Sequence, residues 1–160
     1  MRTLFYCSLA LLFTGSAFAQ AKRASADDAA QKELYAYVLT MDKVQKLAGA
    51  TKSLNELTKA HPEMKNSGDD AKTLDQTVAK LQKYPEVMAA LNKNGLSPRE
   101  YAVGIMTLIQ ASMAVGFKKT GTYKEYPPDM LKLVNKANLD FVDTHYDQIK
   151  TMTEGMMQAQ

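Results

Sequence analysis
The chain has 160 residues, of which 46% are hydrophobic and 23% charged, with a net charge of +3. That profile fits one ordinary globular domain and excludes disordered, collagen-like and multi-span membrane classes. With charges of both signs mixed along the chain, so small an excess implies neither a nucleic-acid nor a membrane partner, and only 8 glycines and 5 prolines disfavour a turn-dense all-β fold.

The first 19 residues read as an export signal. Arg2 supplies a positive start, and Leu4 to Phe13 form an apolar run broken only by Cys7 and Ser8. Ala17 and Ala19 then give a small-x-small cleavage site. The run is too short to span a bilayer. The mature protein is expected to begin at Gln20 or Lys22 and to be periplasmic or secreted. Loss of Arg2 would lower the net charge from +3 to +2. Cys7 is the sole cysteine, so the mature chain would carry no thiol. Export permits disulfides, but none could form, and packing alone must carry stability. A chain of about 140 residues buries roughly two-thirds of its unfolded surface, which is enough.

Residues 20–37 read as a flexible arm, polar and alanine-rich up to Leu34, with a short aromatic run from Tyr35 to Leu39 that is open to an extended conformation. A helical bundle domain is expected over 38–157. Thr40 is a good N-cap, Asp42 suits the positive end of the helix dipole, and Leu39 with Val44 form a hydrophobic staple. Val44, Leu47, Thr51, Leu54 and Leu57 then recur at helical spacing until His61-Pro62. Asn66 to Asp70 is a loop by composition. Leu74, Val78 and Leu81 mark a second helix. Pro85 opens a third, which Asn94-Gly95 stops.

The clearest local signal runs from Leu96 to Tyr101. Ser97 is the N-cap, Pro98 is the first helical residue, and Glu100 stands where a capping box needs it. From Ala102 to Phe117 no residue is charged. Such a helix is expected to be the buried centre of the domain, with Ser112 and Gly116 admitting a close neighbour. Thr107, Gln110 and Ser112 interrupt its apolar character. Gln110 is expected to be buried and hydrogen-bonded between helices, the rival reading being a polar spot in an apolar pocket. Pro127 and Pro128 open a short helix through Met130, Leu131 and Val134. The last helix carries Leu139, Val142, Tyr146, Ile149 and Thr153, and its tail beyond Glu154 should fray.

No catalytic constellation stands out. His61 and His145 are the only histidines, which excludes a three-histidine zinc site. Without a mature cysteine there is no Cys-His pair and no thiolate zinc site. No G-x-S-x-G motif is present. Asp143 and Asp147 flank His145 in sequence, but residues two apart on a helix point away from one another. Two cofactor readings compete with purely structural ones. Met152, Met156 and Met157 offer soft thioethers to Cu(I), although helix-core gap filling is the commoner use of methionine. Met41 and His145 lie on different helices, as do the axial ligands of b-type haem in a bundle, but no spacing rule ties them. Lys118, Lys119, Tyr123, Lys124 and Tyr126 crowd one connection and read as a solvated loop rather than a nucleic-acid stacking patch.

Leu39 to Val44 and Gly95 to Tyr101, followed by Gln110-Ala111, resemble segments of an uncharacterised group of small exported bacterial helical proteins. The resemblance covers roughly residues 38–153. It implies a fold and carries no activity or binding residue with it. The chain is therefore expected to be all-α, a single bundle of four to six helices around residues 101–117. It is expected to be an exported, non-enzymatic binding or interaction module. No catalytic or metal residue is assigned, no cofactor is required, and the cofactor-binding positions are unknown. The partner would be a protein or a small apolar ligand, with no nucleic acid and no membrane span. The alternative is a haem or copper carrier with the cofactor between helices.

Overall fold
The computed structural model describes residues 28–62, Met64 and residues 73–157, the last four as backbone only. The expected signal segment, the arm residues 20–27 and the loop at 66–70 lie outside these residues. Among the described residues every regular element is a helix. They run in order: α1 (28–36), α2 (Met41–Ala60), α3 (Leu74–Gln82), α4 (Pro85–Lys93), α5 (Pro98–Lys119), α6 (Pro128–Leu133), α7 (Lys136–Thr144) and α8 (Tyr146–Met157).

The caps explain why the helices start and stop where they do. Thr40 Oγ1 accepts the Lys43 N–H at the start of α2. Leu39 and Val44 are both buried, as a staple requires. Gly95 has φ of 70°, and α4 ends in a Schellman motif: the Gly95 N–H donates to Asn92 C=O and the Leu96 N–H to Leu91 C=O. Leu91 and Leu96, the two residues that motif brings together, are fully buried. Two residues on, Ser97 Oγ accepts the Glu100 N–H and opens α5. Among the described residues the reciprocal bond from Ser97 N–H to the Glu100 carboxylate is not made, so the expected capping box is half formed.

Three elements differ from the sequence expectation. First, the described part of the expected arm is not loose. Residues 28–36 form α1, and Leu34 is buried with Leu74, Ala102 and Val103. Only one large apolar side chain of α1 points inward, so no helical periodicity could announce it. Its stability is tertiary: Glu33 pairs with Arg99 at 2.6 Å, and Gln31 Nε2 donates to Leu133 C=O. Second, the last helix is two. The chain breaks at His145, the C-cap of α7, and α8 resumes at Tyr146. Thr144 Oγ1 bonds back to Asp140 C=O, a contact that bends helices. Third, α5 is not buried all round. It touches α2, α3, α4 and α7, but Ile109, Met113 and Phe117 of its uncharged stretch are exposed.

The main core gathers Leu47, Leu91, Leu96, Leu108, Leu139, Val142 and Ile149 from five helices and one turn. Full burial of each such side chain is worth about 1.5–3 kcal/mol. The segment between α1 and α2 is fastened from α7 by two asparagines. Asn138, fully buried, donates from Nδ2 to Tyr37 C=O at 2.7 Å and accepts the Leu39 N–H on Oδ1 at 2.8 Å. Asn135 caps α7 through its Oδ1 and donates from Nδ2 to the carbonyls of Tyr35 and Tyr37.

Candidate functional site
The two sides of α5 differ sharply. Tyr101, Leu108, Ala111 and Val115 face the main core. On the other side Ala102, Met106, Ile109, Met113 and Phe117 recur at spacings of four, three, four and four, one row along a helix. The start of this row is covered. Ala102 lies in the cluster with Leu34 of α1 and Leu74 of α3, and Met106 packs against it. Thr107 Oγ1 donates to Leu34 C=O at 3.4 Å, which holds α1 along the same stretch. Beyond Met106 the row is bare: Ile109 is 50% exposed, Met113 56% and Phe117 40%. Large apolar side chains scattered singly on a surface are ordinary, but three in register on one helix face form a patch.

The end of the patch is built from rings and lysines. Tyr123 stands edge-on to Phe117, with centroids 5.7 Å apart, and its N–H donates to Phe117 C=O. Lys118 and Lys119 share the carboxylate of Asp143 on α7, at 3.4 and 2.9 Å. Those hydrogen bonds, Lys119 first, hold the Asp143 carboxyl below its usual range. Lys118 also lies over the Tyr126 ring and Lys119 over the Tyr146 ring. Four of the five residues read as a solvated loop are therefore engaged with their neighbours, and Lys124 is exposed.

The polar residues of α5 fall otherwise than expected. Thr107 is the buried one. Gln110 is half-buried and makes no hydrogen bond among the described residues, because it borders the bare row instead of facing the core. Ser112 Oγ is buried with no hydrogen-bond partner among the described residues. Asn138, which sequence reasoning passed over, is fully buried. Two asparagines three apart at a helix start were its signal.

The cofactor candidates do not converge on a described cavity. His145 caps α7 with its ring 4.9 Å from Phe141, His61 caps α2, and Met41 opens α2. Met152 packs against the main core, and the side chains of Met156 and Met157 lie outside the described residues. One surface groove of about 510 Å³ lies between α2 and α4, lined by Ser53, Glu56, Leu57, Glu86, Ala89, Ala90 and Lys93. Another, of about 380 Å³, lies between α1 and α6 at Gln31, Lys32, Tyr35, Leu131 and Lys132. None of Met41, His61 or His145 lines either. Among the described residues no three His, Cys, Asp or Glu side chains stand together as a metal site. Burial pushes the Tyr37 hydroxyl up to about 12, with the Glu100 charge adding to it, and burial raises Tyr101 as well. These phenols stay protonated at neutral pH.

The three side chains of the bare row offer apolar surface whose removal from water is favourable by about 25 cal/mol per Å². No charge on α5 between Ala102 and Phe117 opposes that removal. Neither the family models, the curated proteins nor the solved structures compared with this chain give a match.

Proposed function
We propose that this protein is an exported, non-enzymatic binding module and that the bare half of the α5 row is its docking face. One observation carries the reading: Ile109, Met113 and Phe117 stay 40–56% exposed in register on the longest helix of the described fold. In this reading α5 is the central helix of a single bundle and serves two purposes. Its inner side holds α2, α4 and α7 together, and its outer side continues past the cover given by α1 and α3. Because that outer side already accepts helices at its start, the partner is a protein that presents an amphipathic helix. Methionine at the middle of the row suits such a surface, since its flexible thioether adapts to different shapes. Export rests on the pattern of Arg2, the Leu4–Phe13 run and Ala17-x-Ala19.

The test is site-specific photo-crosslinking in the native compartment. A photoreactive residue at position 113 should give one discrete cross-linked product, and the same residue at Lys52, on the polar side of α2, should give none. Equal labelling from the two positions, or none from 113, would remove the docking face.

A further inference from the structure
We infer that Met113 is an oxidation site whose modification makes the α5 face polar and closes it to its partner. The inference rests on the reading of that face as a docking surface and adds its regulation.

Sulfur chemistry points to this residue. Cys7 is the only cysteine and falls in the expected signal segment. Once that segment leaves, the thioethers are the only soft sulfur nucleophiles in the chain. Exported proteins meet oxidants that the reducing interior would quench. A peroxide has to reach the sulfur, so exposure orders the reactivity. Among the methionines whose side chains are described, Met113 is the exposed one, at 56%. Met41, Met64, Met88, Met106, Met130 and Met152 are all half-buried. Met113 also stands at the middle of the row, one helical turn from Ile109 and one from Phe117.

The step is an oxygen-atom transfer. A sulfur lone pair attacks one oxygen of hydrogen peroxide, an S–O bond forms, and the O–O bond breaks. Sulfur is oxidised by two electrons. The departing oxygen takes the proton carried by the transferred one and leaves as water. The product sulfoxide is polar and chiral, and it replaces an apolar contact at the middle of the patch.

Peroxide treatment of the folded protein, followed by tryptic mass mapping, tests the inference. The peptide over 100–118 contains both Met106 and Met113, so each serves as the other's reference. Sulfoxide should build at Met113 before Met106, with helical circular dichroism unchanged. Met106 keeping pace with Met113 would overturn the inference. A second readout is anilinonaphthalene sulfonate fluorescence, which reports the open apolar face. Peroxide should lower the wild-type signal to that of Met113→Gln and leave Met113→Leu unchanged. Sulfoxide at Met113 with an undiminished dye signal would overturn the closing of the face while leaving the docking face standing. An untreated Met113→Gln protein that binds dye as the wild type does would overturn the docking face itself.

Discussion

Replacing Asn138 by alanine removes the clasp that joins α7 to the chain ahead of α2. Two consequences differ in size. The Leu39 N–H, in a buried residue, loses its acceptor at 2.8 Å. An unmade bond of this kind costs about 1–3 kcal/mol. The Tyr37 carbonyl loses the donor at 2.7 Å but keeps Asn135 Nδ2 at 3.3 Å. That loss falls at the low end, about 0.5 kcal/mol. With the small void left by the amide, Asn138→Ala should destabilise by about 2–4 kcal/mol. Urea denaturation followed by circular dichroism reads this as a lower midpoint at an unchanged slope. Asn138→Asp separates the polar argument from packing, because its shape is nearly the same. Its carboxylate can still accept the Leu39 N–H, but it faces the Tyr37 carbonyl lone pairs. Burial and that repulsion raise the folded pKa above the unfolded value of about 3.9. The folded state then holds the proton more tightly, so the variant is closest to wild type below about pH 4 and loses stability as pH rises through the folded pKa. An Asn138→Ala cost under about 1 kcal/mol would refute the clasp, since a surface asparagine costs no more. So would an Asp variant whose deficit relative to wild type ignores pH.

Ser97→Ala should lower stability by about 1 kcal/mol through loss of the α5 cap, read as a urea midpoint; no change would mean that the bond to the Glu100 N–H adds nothing. Gly104→Ala should cost about 1–3 kcal/mol by thermal or chemical melting, because an added Cβ would meet Leu47 Cδ2 and the Tyr37 hydroxyl, each at 3.0 Å. Asp143 has a folded pKa held below its unfolded value by Lys119 and Lys118, so its contribution is present above about pH 4 and is lost as pH falls through the folded pKa. Asp143→Asn should therefore flatten the acid limb of a stability–pH curve and leave acid stability unchanged, by an amount that stays small because the group is about one-third exposed.

Local chemistry was legible and coverage was not. Thr40, Ser97, Pro85 and Gly95 mark helix ends through bonds made within a few residues, so the sequence shows them directly. The row on α5 was equally visible as composition, sixteen residues without a charge. Which half of it meets other helices depends on where α1 and α3 pack, and nothing in α5 itself encodes that. The same cause misplaced Gln110, which sits half-buried on the row's border instead of facing the core. Helix α1 escaped because Leu34 is its one large inward side chain, and its other fastenings come from Arg99, Thr107, Leu133 and Asn135, all far along the chain. Asn138 escaped for a related reason. An asparagine at a helix start reads as a capping or surface residue until the Tyr37–Leu39 backbone is seen against it. The break at His145 was hidden because Leu139, Val142, Tyr146 and Ile149 keep their spacing across it.

Helix α5 commits one side to the core and leaves the other uncovered past Met106. Met113 and Val115 sit two residues apart on that helix, 56% exposed and fully buried respectively. Urea midpoints of Met113→Ser and Val115→Ser, measured side by side, separate the two sides. Val115→Ser should cost about 2–4 kcal/mol, since it opens a void and buries a hydroxyl. Met113→Ser should fall within about 0.5 kcal/mol of wild type, as a surface change does. Equal losses in the two variants would place Met113 in the core and refute the two-sided helix.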